Sequence, residues 1–289
     1  MRNFDEHSIT DAVRERVANA GNPRVRQISD ALVRHLHDFV REVEPTQAEW
    51  EWAIDFLTRT GHMCDQNRQE FILLSDALGV SMLVDAINHR LPGDATETTV
   101  LGPFYVQEAP EVELGANISP AVQGQPLLVT GSVRHANGGP IASAEVDVWH
   151  ADGDGYYDVQ QLDDTHGITM RARLRTDADG KFHFWSVMPA AYPIPNDGPV
   201  GQMLVAQGRH PYRPGHVHFM IDAPGCERLV THVFVAGDEY LDSDVVFGVK
   251  DSLIRPFEER PAGTAPDGAT VNGPYRHLHY DFVLSPAQN

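Results

Sequence analysis

The stretch LLVTGSVRHANGGPIASAEVDV, residues 127–148, shows the pattern that governs most of this chain. Apolar residues alternate with other residues over 127–133 and again over 144–148, and successive side chains of a strand point to opposite faces. The Asn-Gly-Gly-Pro run at 137–140 is typical of a turn. Further strands are predicted by the same signals at 168–174, 216–221, 229–235 and 278–284. Many short strands joined by Gly, Pro and Asp turns predict a β-sandwich or barrel.

The first hundred residues have a helical pattern instead, with apolar residues every three or four positions. Helices are predicted from Ser8, from Val25, from Thr46, and over roughly 65–78 and 81–89. Ser8 is a typical N-cap residue, and Thr46 with Glu49 forms a capping box. We therefore predict a mainly β protein with an α-helical N-terminal region, residues 1–100, followed by a β-sandwich over residues 101–289.

Composition limits the classes of partner. The 289 residues suffice for one large domain with an appendage or for two modest domains. The 22 basic and 41 acidic side chains give a net charge of −19, so neither a nucleic acid nor an anionic membrane is expected as a partner. The chain has no 18-residue apolar run, and its N-terminus (MRNFDEHSIT) lacks a signal-peptide core, so a cytoplasmic protein is expected.

Two histidines lie two residues apart in the segment RPGHVHF, residues 213–219. Residues two apart on a strand project to the same side, so His216 and His218 direct two imidazoles to one point, as a metal site requires. The strand is otherwise apolar, and unpartnered imidazoles in a buried strand would be costly. No cysteine or carboxylate nearby completes a zinc or ferrous site, which leaves the phenolates of two isolated tyrosines, Tyr157 and Tyr192. Phenolate oxygen favours ferric iron, and a ferric centre points to redox chemistry on an aromatic substrate.

Other interpretations remain open. His277 and His279 have the same spacing and are interpreted as a solvent-facing edge of the last strand. His150 and Asp152 have the His-x-Asp form of a ferrous two-histidine, one-carboxylate site, with His216, His218 or His232 available as the second histidine. Such a site would indicate a 2-oxoglutarate oxygenase, although a carboxylate that opens a glycine-rich turn is commonly solvated. A third interpretation is a non-enzymatic β-sandwich whose histidines are merely packed.

Three segments carry a resemblance to a known family: LGPFY at 101–105, VDVWHAD at 146–152 followed by Tyr157, and the stretch 175–248, which contains YPIPNDGP at 192–199. With these segments and its helical N-terminus, the chain resembles the intradiol ring-cleavage dioxygenases, and in particular their hydroxyquinol 1,2-dioxygenase branch. The resemblance covers nearly the whole chain. Two tyrosines followed by two histidines in this order are highly specific to that family.

The resemblance implies a particular site. It implies one Fe(III) per subunit held by four ligands, Tyr157, Tyr192, His216 and His218. Arg213 and His232 would be catalytic together with Tyr192, and Arg213 would stabilise negative charge that develops on the ring. The pocket-lining positions of the branch correspond to Leu73, Asp76, Val100, Gly102, Pro103, Ile194, Pro195, Arg213 and Val246. At Asp76, a carboxylate could accept a hydrogen bond from a third substrate hydroxyl, which a catechol lacks.

The implied reaction belongs to the catabolism of aromatic compounds. O₂ would cleave hydroxyquinol, benzene-1,2,4-triol, to 3-hydroxy-cis,cis-muconate, which tautomerises to maleylacetate. The alternative within the family is a catechol or chlorocatechol 1,2-dioxygenase that gives cis,cis-muconates. The resemblance also implies a homodimer formed through the N-terminal helices, with a bound phospholipid. From the sequence alone, these helices could equally pack on the sheet of their own chain.

Overall fold

The computed structural model describes residues 3–65, 68–90, 93–160 and 167–287. The chain divides by packing into two compact units, Met1–Arg59 and Thr60–Asn289. Residues 60–100 group with the strands in this division, and the functional boundary near residue 100 remains a prediction. Within the described ranges, no helix combines the length and the apolar character that crossing a membrane requires.

Six α-helices lie in the described part of the chain. In chain order they are α1 (Ile9–Val17), α2 (Pro23–Val43), α3 (Gln47–His62), α4 (Glu70–Ala77), α5 (Val80–Asn88) and α6 (Pro199–Ala206). The predicted helices over 65–78 and 81–89 are observed as α4 and α5, and residues 66 and 67 of the first prediction lie outside the described ranges. The helices of the N-terminal region are thus confirmed, with ends that differ by a few residues.

The two predicted caps have different outcomes. Thr46 and Glu49 form the capping box, because the Thr46 N–H donates to the Glu49 carboxylate at 2.8 Å and the Glu49 N–H donates to Thr46 Oγ1 at 3.3 Å. Helix α1 does begin after Ser8, but the Ser8 side chain does not cap it. Its hydroxyl instead donates to the Asp5 carboxylate at 2.7 Å. The Ser8 side chain therefore stabilises a local turn and does not cap the helix.

In the first unit, α1 packs along α2. Arg14 of α1 donates to Asp30 of α2 at 2.6 Å, and Arg41 of α2 donates to Thr10 of α1 at 2.8 Å. Helix α2 also carries an apolar stripe, and about half of each side chain in it is exposed. The stripe consists of Val25, Ile28, Leu32, Leu36 and Phe39. A stripe of this size on one helix face is characteristic of an interaction surface.

Thirteen strands lie within the described residues. They are β1 (Pro126–His135), β2 (Glu145–His150), β3 (Arg171–Arg175), β4 (Lys181–Val187), β5 (Tyr192–Pro193), β6 (Tyr212–Arg213), β7 (His216–Asp222), β8 (Leu229–Val235), β9 (Ile254–Arg255), β10 (Glu258–Arg260), β11 (Gly263–Thr264), β12 (Thr270–Val271) and β13 (Tyr275–Leu284). One sheet has the order β3-β2-β7-β8-β9 and the other the order β10-β13-β1-β4. The short strands form two further ladders, β5-β6 and β11-β12.

The two main sheets share one hydrophobic core, which confirms the predicted β-sandwich. The ring of Phe219 on β7 lies 4.8 Å from that of Phe282 on β13 and 6.1 Å from that of Phe182 on β4. Burial of each such side chain stabilises the fold by roughly 1.5–3 kcal/mol. The turn at 137–140 connects β1 to β2, and it therefore carries the chain from one sheet to the other.

Strand alternation determines which face of the first sheet bears the histidines. Val217, Phe219 and Ile221 of β7 point into the core, so His216 and His218 project from the opposite face. In the same sheet Trp149 of β2 pairs with His218, and His218 pairs with His232 of β8, which places the three rings in one row across three strands.

The interpretation of His277 and His279 as a solvent-facing edge is wrong. Strand β13 lies between β10 and β1, so it is an inner strand of its sheet. His277 is buried, and only His279 is exposed. Both rings lie 2.9 Å from the hydroxyl of Thr130, because β1 runs beside them and supplies a partner that the spacing alone does not reveal.

Candidate metal centre

Four donor atoms converge on the outer face of the first sheet. The Tyr157 hydroxyl lies 3.0 Å from His218 Nε2, 3.5 Å from His216 Nε2 and 3.4 Å from the Tyr192 hydroxyl. The two imidazole Nε2 atoms are 3.0 Å apart. All four side chains are almost completely buried. The residues proposed from the sequence as ligands are therefore brought together in space.

The separations fit a shared cation. Metal–nitrogen and metal–oxygen bonds of roughly 2.0–2.1 Å at angles of about 90–120° place neighbouring donors about 2.9–3.5 Å apart. The four observed distances lie in that range. In the absence of a cation, lone pairs from two imidazoles and two hydroxyls would crowd together in a buried pocket. The donor set therefore fits a metal ion.

The protonation of two imidazoles follows from their neighbours. The Pro214 carbonyl oxygen lies 2.7 Å from His216 Nδ1, so Nδ1 donates and Nε2 keeps a lone pair that points into the cluster. Arg213 has donors only, and its NH2 group lies 3.4 Å from His232 Nδ1, which must accept. Hence His232 carries its proton on Nε2 and its lone pair faces Arg213.

A different metal grouping is also geometrically available, because ligand atoms of His216, His218 and His232 lie within 4.8 Å of one another. The set of two tyrosines and two histidines is the tighter one, because its donor atoms lie 3.0–3.5 Å apart, against separations of up to 4.8 Å among the three histidines. The ring of His232 packs 4.1 Å from that of His218 and 4.8 Å from that of His216, as a neighbour of the pair.

Burial controls the charge of the cluster. It lowers the pKa of His216 and of His218 well below the usual value, so both imidazoles are neutral and able to bind a metal. It raises the pKa of the Tyr157 phenol well above its usual value. A bound cation would reverse the effect on the phenol, because a metal displaces the proton of an oxygen ligand.

Tyr157 is anchored by a buried ion pair on the next residue. Its backbone N–H donates to Gln160 Oε1 at 2.9 Å, and its ring stacks on Phe104 at 4.4 Å. Asp158 accepts from Arg171 Nε at 2.7 Å and makes a second, shorter contact with Arg171 NH2. Arg171 also donates to the Phe104 carbonyl oxygen at 2.9 Å, so a single guanidinium fixes both the tyrosine and the ring stacked on it.

Tyr192 comes from a proline-stiffened loop that is held by the short ladder β5-β6. In that ladder Tyr192 pairs with Arg213 and Pro193 pairs with Tyr212. Among the described residues, the Tyr192 hydroxyl has one hydrogen-bond partner, Tyr157, at 3.4 Å. Gly155 accommodates this close approach, because a Cβ there would lie 2.9 Å from the Tyr192 Cβ.

Arg213 lies beside the cluster and is paired with an acid. Its Nε donates to Asp244 Oδ1 at 3.1 Å and its NH2 group to Asp244 Oδ2 at 3.3 Å, with both side chains buried. Burial opposes the charge of the guanidinium, but the Asp244 carboxylate outweighs it and raises the pKa of Arg213 above its usual value. Arg213 is therefore a permanent buried cation next to His216.

Most of the residues proposed to line a pocket lie near each other. Leu73, Val100, Ile194 and Val246 belong to one hydrophobic cluster in the second unit. A Cβ at Gly102 would lie 3.1 Å from His218 Cε1, so the LGPFY segment passes directly over that ring. Pro103 is exposed and Pro195 is half-buried.

Asp76 is buried in α4 rather than exposed on it. Burial raises the pKa of its carboxyl group above the usual value, and a hydrogen bond from Ser81 and the charge of Arg213 oppose that shift. Asp76 is therefore a buried carboxyl group close enough to Arg213 to be affected by its charge.

The alternative ferrous site is not formed. His150 pairs across β2 and β7 with Val217, whose side chain points into the core, and His150 lies on that face rather than on the face of His218. Its Nδ1 donates to the Ala151 carbonyl oxygen at 2.7 Å, and its Nε2 lies 2.7 Å from the Ser186 hydroxyl. The Asp152 carboxylate instead accepts backbone N–H groups within its turn.

His150 gives the fold an acid-sensitive element. Burial lowers the pKa of His150 to about 4, from a usual value near 6.5. A depressed folded-state pKa contributes stability that is present above the unfolded-state value and is lost as the pH falls toward about 4. We expect this histidine to contribute up to about 3 kcal/mol to the pH dependence of unfolding.

The measurement compares urea unfolding of the wild type and His150→Gln between about pH 7.5 and pH 4. The difference between their free energies of unfolding should shrink as the pH falls, because only the wild type must take up this proton on unfolding. His7→Gln replaces an exposed side chain, so its free energy of unfolding should differ from that of the wild type by the same amount at every pH. Parallel curves for His150→Gln would contradict the expectation.

Known proteins are similar to this chain in sequence and in fold. The family described as "Dioxygenase" matches residues 100–286, and the one described as "Catechol dioxygenase N terminus" matches residues 22–96. The chain is 50% identical to the hydroxyquinol 1,2-dioxygenase of Nocardioides simplex, over 98% of this chain and 96% of that protein. It is 52% identical to the 6-chlorohydroxyquinol 1,2-dioxygenase of Cupriavidus pinatubonensis, over 99% of each. The solved structure of hydroxyquinol 1,2-dioxygenase from Pseudomonas putida DLL-E4 superposes with a TM-score of 0.92 at 49% identity and covers 98% of this chain and 99% of that chain.

Proposed function

This chain belongs to the intradiol ring-cleavage dioxygenases, and from that membership we propose that it cleaves hydroxyquinol with O₂ between the two adjacent hydroxylated carbons. The product is 3-hydroxy-cis,cis-muconate, which tautomerises to maleylacetate, and both atoms of O₂ end in its two carboxylates. The observation that carries the proposal is the nearly full-length similarity to proteins named hydroxyquinol 1,2-dioxygenase.

The proposed cofactor is one Fe(III) per subunit, and its proposed ligands are Tyr157, Tyr192, His216 and His218. The convergence of these donors and the two phenolic oxygens among them support ferric iron. Bound iron supplies a Lewis acid for the substrate oxygens and accepts electron density from the ring, which makes the ring reactive toward O₂.

The two tyrosines have different roles in this proposal. Tyr157 is a permanent ligand, because the Asp158–Arg171 pair and the Phe104 ring hold it in place. Tyr192 is the more weakly held hydroxyl, because its hydrogen-bond partner among the described residues is Tyr157 at 3.4 Å, so it would be the residue able to take up a substrate proton at Oη. Its loop also supplies Ile194 to the pocket wall, so Tyr192 and part of that wall belong to the same segment.

The remaining catalytic residues act on charge and orientation. Arg213 is a buried cation next to His216, and it stabilises the negative charge that develops on the substrate ring. His232 has its lone pair toward Arg213 and its proton on Nε2, so it can offer a donor to the substrate. The apolar cluster around Leu73 and Val246 excludes water from the reacting ring.

Asp76 is the residue proposed to select the triol. Asp76→Ala should lower kcat/KM for benzene-1,2,4-triol by about 10- to 100-fold, because a hydrogen bond to a charged group contributes about 1.5–3 kcal/mol. Catechol lacks the third hydroxyl, so its kcat/KM should change little. Steady-state oxygen uptake with both substrates measures the ratio. An equal loss on both would contradict a contact with the third hydroxyl.

The function itself is tested by the visible spectrum of the purified protein, recorded anaerobically with and without benzene-1,2,4-triol, followed by oxygen uptake. A broad tyrosinate-to-iron band that shifts to longer wavelength with the triol, and faster turnover of the triol than of catechol, is expected. Faster turnover of catechol would favour the alternative substrate. A colourless, iron-free protein would refute the proposal, and a colourless protein that needs 2-oxoglutarate would indicate the ferrous alternative.

We also propose that two copies of the chain form a homodimer through the N-terminal helices, with residues 1–100 as the linker and dimerisation region and a bound phospholipid between the copies. The support is the exposed apolar stripe of α2, which water contacts in an isolated chain. Light scattering of the intact protein and mass spectrometry of extracted lipid measure the two parts separately.

A further inference from the structure

The Asp244 carboxylate makes more contacts than an ion pair needs. Besides its two contacts with Arg213, it accepts the backbone N–H of Gly248 at 2.9 Å and that of Val246 at 3.4 Å. Only 5% of Asp244 is exposed. The carboxylate is thus fixed by its own loop, and it can hold the guanidinium at a fixed angle.

The backbone of the loop around Asp244 directs two of its N–H groups toward this carboxylate. Phe247 adopts the left-handed backbone conformation, with φ of 58°, which an L-residue with a bulky side chain rarely adopts. Its conformation turns the chain so that the N–H groups on either side of it face the carboxylate. Such strain persists only where the surroundings hold it in place, and here the surroundings are the buried Asp244 and its partner.

Gly248 leaves no spare space at the pair. A Cβ at this position would lie 3.0 Å from the NH2 group of Arg213 and 3.1 Å from Asp244 Oδ2. Its backbone conformation is one that alanine also adopts, so the constraint is the closeness of the ion pair and not the backbone. A methyl group here would press on the guanidinium without changing any charge.

The two histidine contacts of Arg213 cannot hold the orientation of its guanidinium once iron is bound. The NH1 group faces His216 Nε2 at 3.4 Å, and the NH2 group faces His232 Nδ1 at the same distance, both long for a hydrogen bond. If His216 Nε2 binds iron, as proposed above, its lone pair is no longer available to Arg213. NH1 is then free for the substrate, and the orientation of the guanidinium depends on Asp244.

We propose that Asp244 is a positioning residue for the ring-cleavage reaction, which holds Arg213 so that NH1 faces the substrate. This inference rests on the proposed function. The same carboxylate accepts the N–H of Gly248 at 2.9 Å, and Gly248 lies two residues after Val246, a member of the apolar cluster around Leu73, so the arginine and the pocket wall share one anchor. The orientation of Arg213 and the shape of the pocket are therefore coupled.

The test uses two variants with matched controls in the intact, iron-loaded protein. Asp244→Asn keeps the shape and removes the charge. Asp147→Asn does the same at another Asp–Arg pair, in which Asp147 is buried and its partner Arg173 is partly exposed. Gly248→Ala presses on the pair, and Gly273→Ala adds a methyl group where nothing lies within 4 Å. For each protein, kcat and KM with benzene-1,2,4-triol, the visible band and the thermal unfolding midpoint are measured.

Asp244→Asn should lower kcat by about 100-fold and Gly248→Ala by about 10-fold, with the visible band retained in both, since a misplacement of about 1 Å costs on that order. Both controls should keep the kcat of the wild type. The inference is overturned if Asp244→Asn turns over like Asp147→Asn, or if the visible band disappears together with turnover. Should Asp244→Asn not fold, a Gly248→Ala protein with the kcat of Gly273→Ala overturns it as well.

Failure of this inference can be told apart from failure of the proposed function. If the wild-type protein does not consume oxygen with the triol, the function fails before any variant is compared. If the wild type is active and the variants match their controls, only the role of Asp244 fails.

Discussion

Replacing Tyr157 with phenylalanine should lower oxygen consumption with benzene-1,2,4-triol by at least about a thousandfold, which corresponds to about 4 kcal/mol of transition-state stabilisation. The hydroxyl of Tyr157 lies within 3.5 Å of the three other proposed ligands, so its removal takes away the oxygen at the centre of the set. Loss of an anionic ligand should also weaken the binding of a trivalent ion and remove most of the visible absorption.

The adjacent residue provides a matched control. Tyr156 has the same chemistry and is half exposed, so Tyr156→Phe should retain both turnover and colour. Iron analysis, the visible spectrum and oxygen uptake on the two purified variants make the comparison. Wild-type oxygen uptake by Tyr157→Phe would refute the proposed ligand set.

Breaking the ion pair behind that tyrosine should have the largest effect on stability. Asp158→Ala leaves the buried Arg171 without its carboxylate, and removal of one partner of a buried pair costs about 3–5 kcal/mol. Since Arg171 also holds the Phe104 carbonyl, the Tyr157 ring should lose its orientation, and the visible band should weaken in the protein that remains folded. Urea unfolding and the visible spectrum measure the two effects.

Two comparisons separate this pair from ion pairs in general. Glu111→Ala breaks the exposed pair with Arg175 and should cost no more than about 1 kcal/mol. The double replacement Asp158→Leu with Arg171→Met should be more stable than Asp158→Ala, because it leaves no unpaired buried charge. If Asp158→Ala unfolds at the same urea concentration as Glu111→Ala, the pair is not a structural anchor.

The sequence predicts the sandwich and the placement of the two histidines because both depend on strand alternation. His216 and His218 must share a face whichever strands lie beside them, and the structure places their Nε2 atoms 3.0 Å apart. The same rule separates His150 from His218, and this removes the ferrous alternative.

The alternation of residues along a strand does not reveal which other segments of the chain cover each face of that strand. Arg171, Arg173 and Arg175 repeat with a period of two and would all be expected to reach solvent, yet Arg171 is buried because Asp158 and the Phe104 carbonyl approach it from distant segments. Asp244 likewise resembles any other acid in a turn, and its local sequence holds no signal for the arginine that it binds. These residues could have been found only from the contacts between segments.

The row of rings formed by Trp149, His218 and His232 exists only when the strands pair in the correct register, so metal binding depends on that register. A slip of one residue in the pairing of β7 would turn every side chain of that strand to the other face, and the two imidazoles would enter the apolar core. Such a misfolded molecule has no pair of nitrogens to offer to an ion. Molecules misfolded in this way would therefore add nothing to the iron content of a preparation.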